Sequence, residues 1–419
     1  MALHDAAVWL ISLVSIAFVL LRPRGLAEAW WAGIGACILM VFGLISFRFA
    51  AQAAAKGLDV YLFLIGMMIM SELARREGVF DWVAGHAVRA SRGSQSRLFL
   101  LIYAVGTAVT VLLSNDATAV VLTPAVLAAV RAAQAEPLPY LLICAFVANA
   151  ASFVLPISNP ANLVVYDGAM PSLGTWLVTF GLPSFASIAV TFLLLRWLSR
   201  QSLSGEITTD VDGRALSSTG KLTLCGIAFL AVTLMTASAL NIALGAPAFV
   251  AGIFVAGAVA FRDREAVSVV AQEISWSVLP LVAGLFVIVE ALSGAGALKW
   301  AVGAIATLNR WGMAQAVLTS GFGSALVSNL TNNLPSGLIS GAAVKAAGAM
   351  GPVRDSVLIG VDLGPNLSVS GSLATILWLL AIRREGLHVS FWQFLRFGAV
   401  LMPPALALSL LTLLLRSGQ

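Results

Sequence analysis

The residues able to do chemistry in this chain lie inside apolar sequence. Ser114, Asn115 and Asp116 open the stretch SNDATAVVLTP, directly after the run LFLLIYAVGTAVTVLL. An ionised carboxylate at membrane depth costs roughly 2.5 to 3.5 kcal/mol on insertion scales, so Asp116 reads as a working residue. A second polar tip, Thr331-Asn332-Asn333, is followed by Pro335. Two further clusters hold Asn149, Ser152, Ser158, Asn159 and Asn162, then Asp362, Asn366, Ser368, Ser370, Ser372 and Thr375. Amides and hydroxyls dominate, and no lysine or arginine joins them. A multiply charged anion would call for a cation, helix termini aimed at it, or bound Na⁺. Asparagine offers donors and acceptors, and Ser and Thr hydroxyls rotate to either role. The set favours a small neutral or weakly charged polar solute, and its oxygens keep a cation open.

Asp116 and Asp362 are the acids nearest the interruptions. Desolvation and hydrogen bonds from amides pull a carboxylate's proton affinity in opposite directions. A group balanced between the two can bind and release a proton as access alternates. Asp116 is expected to couple protons, with Asp362 as its counterpart or a substrate ligand. Asp116 could also cap a helix within its own segment.

The elements that must position these residues are helices in a bilayer. The chain has 419 residues, 60% hydrophobic and 10% charged, with a mean hydropathy of +0.97. A soluble domain carries about 25% charge. The apolar runs are too long and too uniform for an alternating barrel, and an open sheet cannot satisfy its backbone in lipid. They fall near 7–21, 30–47, 57–74, 138–166 and 174–195, then near 221–240, 246–261, 275–293, 356–381 and 395–415. Between the third and fourth of each set lies a further apolar region, 98–130 and 313–350, with a polar pair in its middle. Arms of about 15 residues, short of the ~20 that cross a bilayer, suit a re-entrant hairpin. Two tightly joined full spans are the other reading. Pro156 and Pro160 interrupt the fourth span, Gly364 and Pro365 the ninth, and Pro335 is a further credible break.

With the N-terminus outside, seventeen of the 24 Lys and Arg residues fall inside. Arg48, Lys56, Lys299, Arg310, Lys345, Arg354 and Arg416 fall outside, as the positive-inside rule asks. Both termini are then periplasmic. Five spans per half invert the second half, and some repetition is visible. GMMIMSELARREG and GLFVIVEALSGAG each place a glutamate, Glu72 and Glu290, six residues after the first glycine. Gly66 to Asn115 is 49 residues and Gly284 to Asn332 is 48. Val147 to Leu163 lies opposite Gly360 to Thr375. The expected fold is an all-α polytopic membrane protein of two inverted repeats, each with five transmembrane helices, a re-entrant hairpin and a broken helix. The first repeat is 1–199 (hairpin 98–130, broken helix 138–166), the cytoplasmic linker 200–221, and the second repeat 222–419 (hairpin 313–350, broken helix 356–381). Substrate sites in such architectures form at mid-membrane, where broken helices expose backbone groups.

SNDATAVVLTP, LTNNLPSGLISG and above all IGVDLGPNLSVSGSLATILWL resemble the arsenite permeases of the ArsB type, arsenical efflux pump membrane proteins. These belong to a larger ion-transporter group that includes Na⁺/H⁺ antiporters and dicarboxylate carriers. The resemblance implies export of trivalent arsenic as As(OH)₃, and commonly antimonite, in exchange for protons across the bacterial inner membrane. It implies no cofactor, the proton gradient being the drive, and in some members association with a soluble arsenical pump ATPase. It places the tips Ser114–Asp116 and Thr331–Asn333 facing each other, with residues 149–162 and 362–375 beside them. The expected substrate-binding set is Ser114, Asn115, Asp116, Thr118, Asn149, Ser152, Asn159, Asn332, Asn333, Asp362, Asn366 and Ser370. Asn149 stands where better-known arsenite permeases carry an aspartate, and Val361 where they often carry a cysteine.

An enzyme fits poorly, since no His/Cys/Asp cluster, nucleophile elbow or P-loop appears. No nucleic acid partner is indicated, and the scattered Cys37, Cys144 and Cys225 have no metal-ligand spacing. A Na⁺/H⁺ antiporter, or another small-ion transporter of the same group, is the alternative function. Glu72 and Glu290 are expected near the interface without a transport role. Trp30, Trp31, Trp176, Trp276, Trp378 and Trp392 are expected in the interfacial belt. MALHDAAVWLISLV lacks a basic n-region and reads as the start of the first span.

Overall fold

The computed structural model describes residues 3–166, 170–209, 215–308, 312–349 and 351–417. Arg310 and Arg214, both counted in the charge asymmetry, lie outside them, as does linker segment 210–214. Among the described residues all regular structure is helical, with one isolated bridge between Ser94 and Glu206. The first half holds α1 (Leu3–Leu21), α2 (Glu28–Val41), α3 (Phe47–Lys56), α4 (Leu58–Arg76) and α5 (Val79–Ala90). It continues with α6 (Gln95–Leu112), α7 (Thr123–Ala132), α8 (Pro137–Ala150), α9 (Pro160–Tyr166) and α10 (Leu173–Leu198). The second half holds α11 (Ser218–Ala239), α12 (Gly245–Ala260), α13 (Arg264–Glu273), α14 (Val278–Gly294) and α15 (Ala297–Leu308). It ends with α16 (Met313–Thr331), α17 (Asn333–Ala346), α18 (Pro352–Leu363), α19 (Leu373–Arg384) and α20 (Phe391–Ser417).

Each element of the first half has a counterpart in the second, in the same order. The packing is reciprocal too: α2 lies against α14 and α4 against α12, while α10 and α20 lie against each other. This is the pattern two repeats make around a two-fold axis. Glycines permit both crossings. A Cβ at Gly284 would meet atoms of Ala32 in α2 at 2.8 to 3.0 Å, and one at Gly66 would run into the Ala248 backbone of α12. These are the two glycines that head the repeated glutamate motifs. The α10–α20 contact carries Pro183 inside one helix and Pro403 and Pro404 inside the other. Ser409 Oγ donates to the Pro183 carbonyl at 3.0 Å.

Among the described residues, six helical segments are long and apolar enough to cross a membrane: α1, α6, α10, α11, α13 and α14 taken together, and α20. The pair α3–α4, bent by 48°, makes a seventh. The remaining runs of the sequence are shorter pieces. The fourth is split into α8 and α9, the ninth into α18 and α19. At 18 and 19 residues, α6 and α16 are longer than the arms expected of the hairpins. The base of the first hairpin is closed, since Ile207 N donates to Gly93 O at 3.0 Å and Thr208 N to Ala133 O at 3.1 Å. Two adjacent linker residues thus hold both ends of that hairpin at one face.

Two tryptophans depart from the belt. Trp30 and Trp392 are more than 60% exposed, but Trp176 and Trp378 are fully buried. The Trp176 indole donates to Phe153 O at 3.1 Å and that of Trp378 to Leu141 O at 2.9 Å. Each donates to a backbone carbonyl of the first broken-helix region, Phe153 in the break itself and Leu141 within α8.

Candidate substrate site

The first hairpin turns at residues 113–116, and Ser114 caps the helical turn after it. Its Oγ accepts from Ala117 N at 3.2 Å, and Asn115 Oδ1 accepts from Asp116 N at 2.9 Å. The Asp116 carboxylate makes no cap hydrogen bond. The capping role goes to a neutral neighbour, and the acid faces a cavity instead. The next six residues, Ala117–Leu122, form a π-helical turn, a rare form frequent at functional sites. Inside it Thr118 is fully buried and lies 2.8 Å from the Thr110 hydroxyl of α6, bracing the two arms.

The second hairpin turns more sharply. Asn332 takes φ 76° and ψ 154°, a strained backbone conformation that favours glycine. Its Oδ1 accepts from Leu334 N at 3.3 Å and caps α17. Pro335 falls in the first turn of α17, where no intrahelical donor is required. The expected break therefore lies one step earlier, at Asn332.

The broken helices meet the tips. Between α8 and α9 the chain runs through a 3₁₀ turn at Pro156–Ser158, and between α18 and α19 through turns at Gly364–Asn366 and Val369–Gly371. Asn162 Nδ2 donates to Ser152 O at 3.0 Å and to Leu155 O and Pro156 O at 3.3 Å, replacing lost helical donors. Ser372 caps α19 by accepting from Thr375 N at 3.1 Å. Across the halves, Asn149 Nδ2 donates to Asn366 Oδ1 at 3.0 Å and Thr375 Oγ1 at 3.3 Å, while Asn366 Nδ2 donates to Phe146 O at 3.0 Å. Asn159 Nδ2 donates to Asp362 Oδ1 at 2.9 Å.

A small cavity of about 10 Å³ lies where the four interruptions converge, lined by Asn115, Asp116, Asn159, Pro160, Asn333 and Ala374 among others. Asn159 faces this cavity beside Asp116 and bonds Asp362, so one amide bridges the two acids' surroundings. A second cavity of about 90 Å³ reaches Ser114 and Asp116 along α4, past Met67, Met68, Ser71 and Glu72. Neither lining includes a lysine or an arginine.

Of the expected set, the structure brings Asn115, Asp116, Asn159 and Asn333 to one cavity and joins Asn149 with Asn366, and Asp362 with Asn159. Ser114 lines the larger cavity, and Ser152 Oγ donates to Asn149 O at 2.8 Å. Thr118 and Asn332 serve the hairpins' own backbones. Ser370 belongs to a neighbouring cluster in which Ser368 Oγ donates to Asn329 Oδ1 at 2.7 Å and Ser370 Oγ to Asn329 O at 3.3 Å. The sequence reading left out the α4 residues that line the larger cavity. Their signal was present: Leu64, Met67, Met68, Ser71 and Glu72 share one helical stripe. Glu72 is also only 9% exposed and is paired with Arg75.

Two hairpins and two broken helices converging on one polar centre define a membrane transporter architecture. The profile of the citrate transporter family, CitMHS, matches residues 13–362, and the chain belongs to that family. It is a multi-pass membrane transporter and not an enzyme. It is 28% identical to the arsenical pump membrane protein of Escherichia coli K12 over 423 residues, with 97% of each chain covered. It is 27% identical to that of Yersinia enterocolitica, again with 97% of each covered. An uncharacterized transporter of Mycobacterium tuberculosis H37Rv is 27% identical, with 96% of each covered. The crystal structure of the Alcanivorax borkumensis YdaH transporter, described as having an unusual topology, matches with a TM-score of 0.60 at 15% identity, covering 89% of this chain and 88% of that one. That likeness concerns the fold.

Proposed function

We propose that this protein exports trivalent arsenic as As(OH)₃, and antimonite with it, in exchange for protons across the bacterial inner membrane. The observation that carries the reading is that, among the described residues, Asn149 Oδ1, Asn333 Oδ1 and Asp362 Oδ2 are buried near the convergence without a hydrogen-bond partner. All three are acceptors. A buried group left unpaired costs about 1 to 3 kcal/mol, so the site calls for a solute rich in donors. As(OH)₃ brings three O–H donors and no charge. A citrate-like trianion would meet Asp116 in a lining without lysine or arginine, so the family's description does not extend to the substrate here. The similarity to arsenical pump membrane proteins over nearly the whole chain supports the same choice.

Asp116 and Asp362 carry the proton coupling in this reading. Ser114, Asn115, Asn149, Ser152, Asn159, Asn333 and Asn366 surround the solute, while Thr118, Asn332 and Ser370 hold the interruptions in shape. The repeats are 1–199 and 222–419, joined by a cytoplasmic linker at 200–221, with both termini periplasmic. No cofactor takes part, and a soluble arsenical pump ATPase is an accessory partner rather than a requirement. The same acceptor oxygens favour one second reading, Na⁺/H⁺ antiport, because a carboxylate with amide oxygens also suits a hard cation.

The test is As(III) uptake into everted vesicles without an ATPase, with a protonophore control and Asp116→Asn alongside. Uptake that collapses with the gradient and in the variant is the expected result. Uptake that survives Asp116→Asn moves the coupling to Asp362. No As(III) uptake together with ΔpH-driven Na⁺ flux replaces the arsenite reading by the second one.

A further inference from the structure

We propose that Glu72 transfers protons between Asp116 and the aqueous face, with Arg75 as the charge that holds it in place. The inference rests on the proton-coupled reading above and adds a residue to it. The cavity of about 90 Å³ that ends at Ser114 and Asp116 is bounded along its length by one stripe of α4, from Leu64 through Met67, Met68 and Ser71 to Glu72. From Leu64 to Glu72 is ~12 Å at 1.5 Å rise per residue. A water needs about 10 to 15 Å³ of such volume, so the passage has room for several. Ser71 and Ser275 add hydroxyls to its lining.

Exposure falls steadily along the charges at its mouth. The side chains of Glu273 and Arg75 are 57% and 45% exposed, and that of Glu72 is 12% exposed. Arg75 Nε donates to Glu72 Oε1 at 2.8 Å and Arg75 Nη2 lies 3.6 Å from Glu273 Oε2, so one cation is shared between two carboxylates. Asp81 also acts on Arg75, and Asp116 is the remaining charged group of the lining. A proton leaving the Asp116 carboxyl passes through intervening water to the Glu72 carboxylate. Glu72 then returns it to water at the mouth while Arg75 swings toward Glu273. On the proposed topology that mouth is cytoplasmic.

The repeat supplies an internal control. Glu290 occupies the equivalent position of α14, but its side chain is 37% exposed and pairs with Lys56 of α3 at 2.7 Å. The tip on that side carries Asn333 where the first carries Asp116. In the half whose hairpin tip holds an acid, the glutamate lines a cavity that reaches that acid.

The test uses Glu72→Gln and Glu72→Asp in reconstituted vesicles, each checked for monodispersity. Expected for Glu72→Gln is a fall of about ten-fold or more in proton-coupled As(III) uptake, the lower end of what a positioned proton-transfer group contributes being larger still. KM for As(III) and As(III)/As(III) exchange, which needs no net proton movement, stay near wild type. Glu72→Asp recovers part of the rate. Wild-type net uptake in Glu72→Gln, or net uptake and exchange falling together in both variants, overturns the proposal. If the wild type takes up no As(III), the arsenite reading fails by itself. The relay is then monitored on the infrared carboxyl band of Asp116 after a pH jump. A ten-fold slowing in Glu72→Gln upholds it, and an unchanged rate overturns it.

Discussion

The two hairpins occupy matched places in the element order and are built differently at their tips. The first ends in an acid, with Ser114 as cap and a π-helical turn behind it. The second ends in Asn332, strained at positive φ and capping its own helix, with the neutral Asn333 facing the cavity. The broken helices reverse the assignment: Asn149 closes the first and Asp362 the second. Acids thus alternate crosswise, one per half, and each one's counterpart in the repeat is an amide. Four carboxylates around one centre would repel strongly in a medium of low dielectric. Two acids, one bonded by Asn159 and the other sharing its cavity, keep titratable chemistry while the amides preserve the hydrogen-bonding shape. Backbone architecture is repeated, and charge is not.

The largest effects should come from moving those acids. Asp362→Asn is expected to reduce proton-coupled uptake to background, since Asp362 is fully buried and, among the described residues, its Oδ2 has no hydrogen-bond partner. Asp116→Asn combined with Asn333→Asp transfers the hairpin acid to the opposite tip across the same small cavity. If the need is only for one acid between the tips, vesicle uptake recovers part of what Asp116→Asn alone loses. If it stays at background, the Glu72 passage on the first side is what makes the location of the acid matter.

An intermediate effect is expected at the two crossing glycines. Gly66→Val and Gly284→Val each force a side chain into the backbone of the opposing half, and overpacking of this kind costs about 1 to 3 kcal/mol. Thermal unfolding in detergent should show Tm falling in both variants by similar amounts. A fall in only one would mean that the repeats share an element order but not an equivalent load at their crossings.

Much of this arrangement was legible in the residues. Gly66 and Gly284, spaced alike from their glutamates and tips, turned out to be the contact points of the reciprocal crossings. Pro156, Pro160 and Gly364-Pro365 lie at breaks, because a missing donor or an absent Cβ acts locally. What stayed hidden depends on tertiary placement. Trp176 and Trp378 have the composition of belt residues, and only the carbonyls of Phe153 and Leu141, brought near by the fold, give their indoles an interior partner. The helix α3 is hard to see because Phe47–Lys56 is too short and too polar to register as a span. Glu72 looked like an interfacial residue, since nothing local distinguishes a snorkelling glutamate from one at the head of a cavity.

The smallest effect is expected where the first hairpin is fastened at its outer end. Arg131 Nη1 and Nη2 donate to Glu385 Oε2 and to Glu385 O, each at 2.9 Å, tying the last turn of α7 to the end of α19 in the other half. Both side chains are 46% exposed, so water and salt screen the pair, and exposed ion pairs contribute about 0 to 1 kcal/mol. Arg131→Ala should therefore shift Tm by no more than a few degrees, with the shift shrinking further as salt is raised. Transport measured in the same preparation sharpens the comparison between the hairpins. An unchanged rate places all of the first hairpin's functional weight at its Ser114–Asp116 tip. A clear loss of rate at unchanged Tm would mean that this clasp sets where the tip stands, and that movement of the hairpin against α19 belongs to the transport cycle.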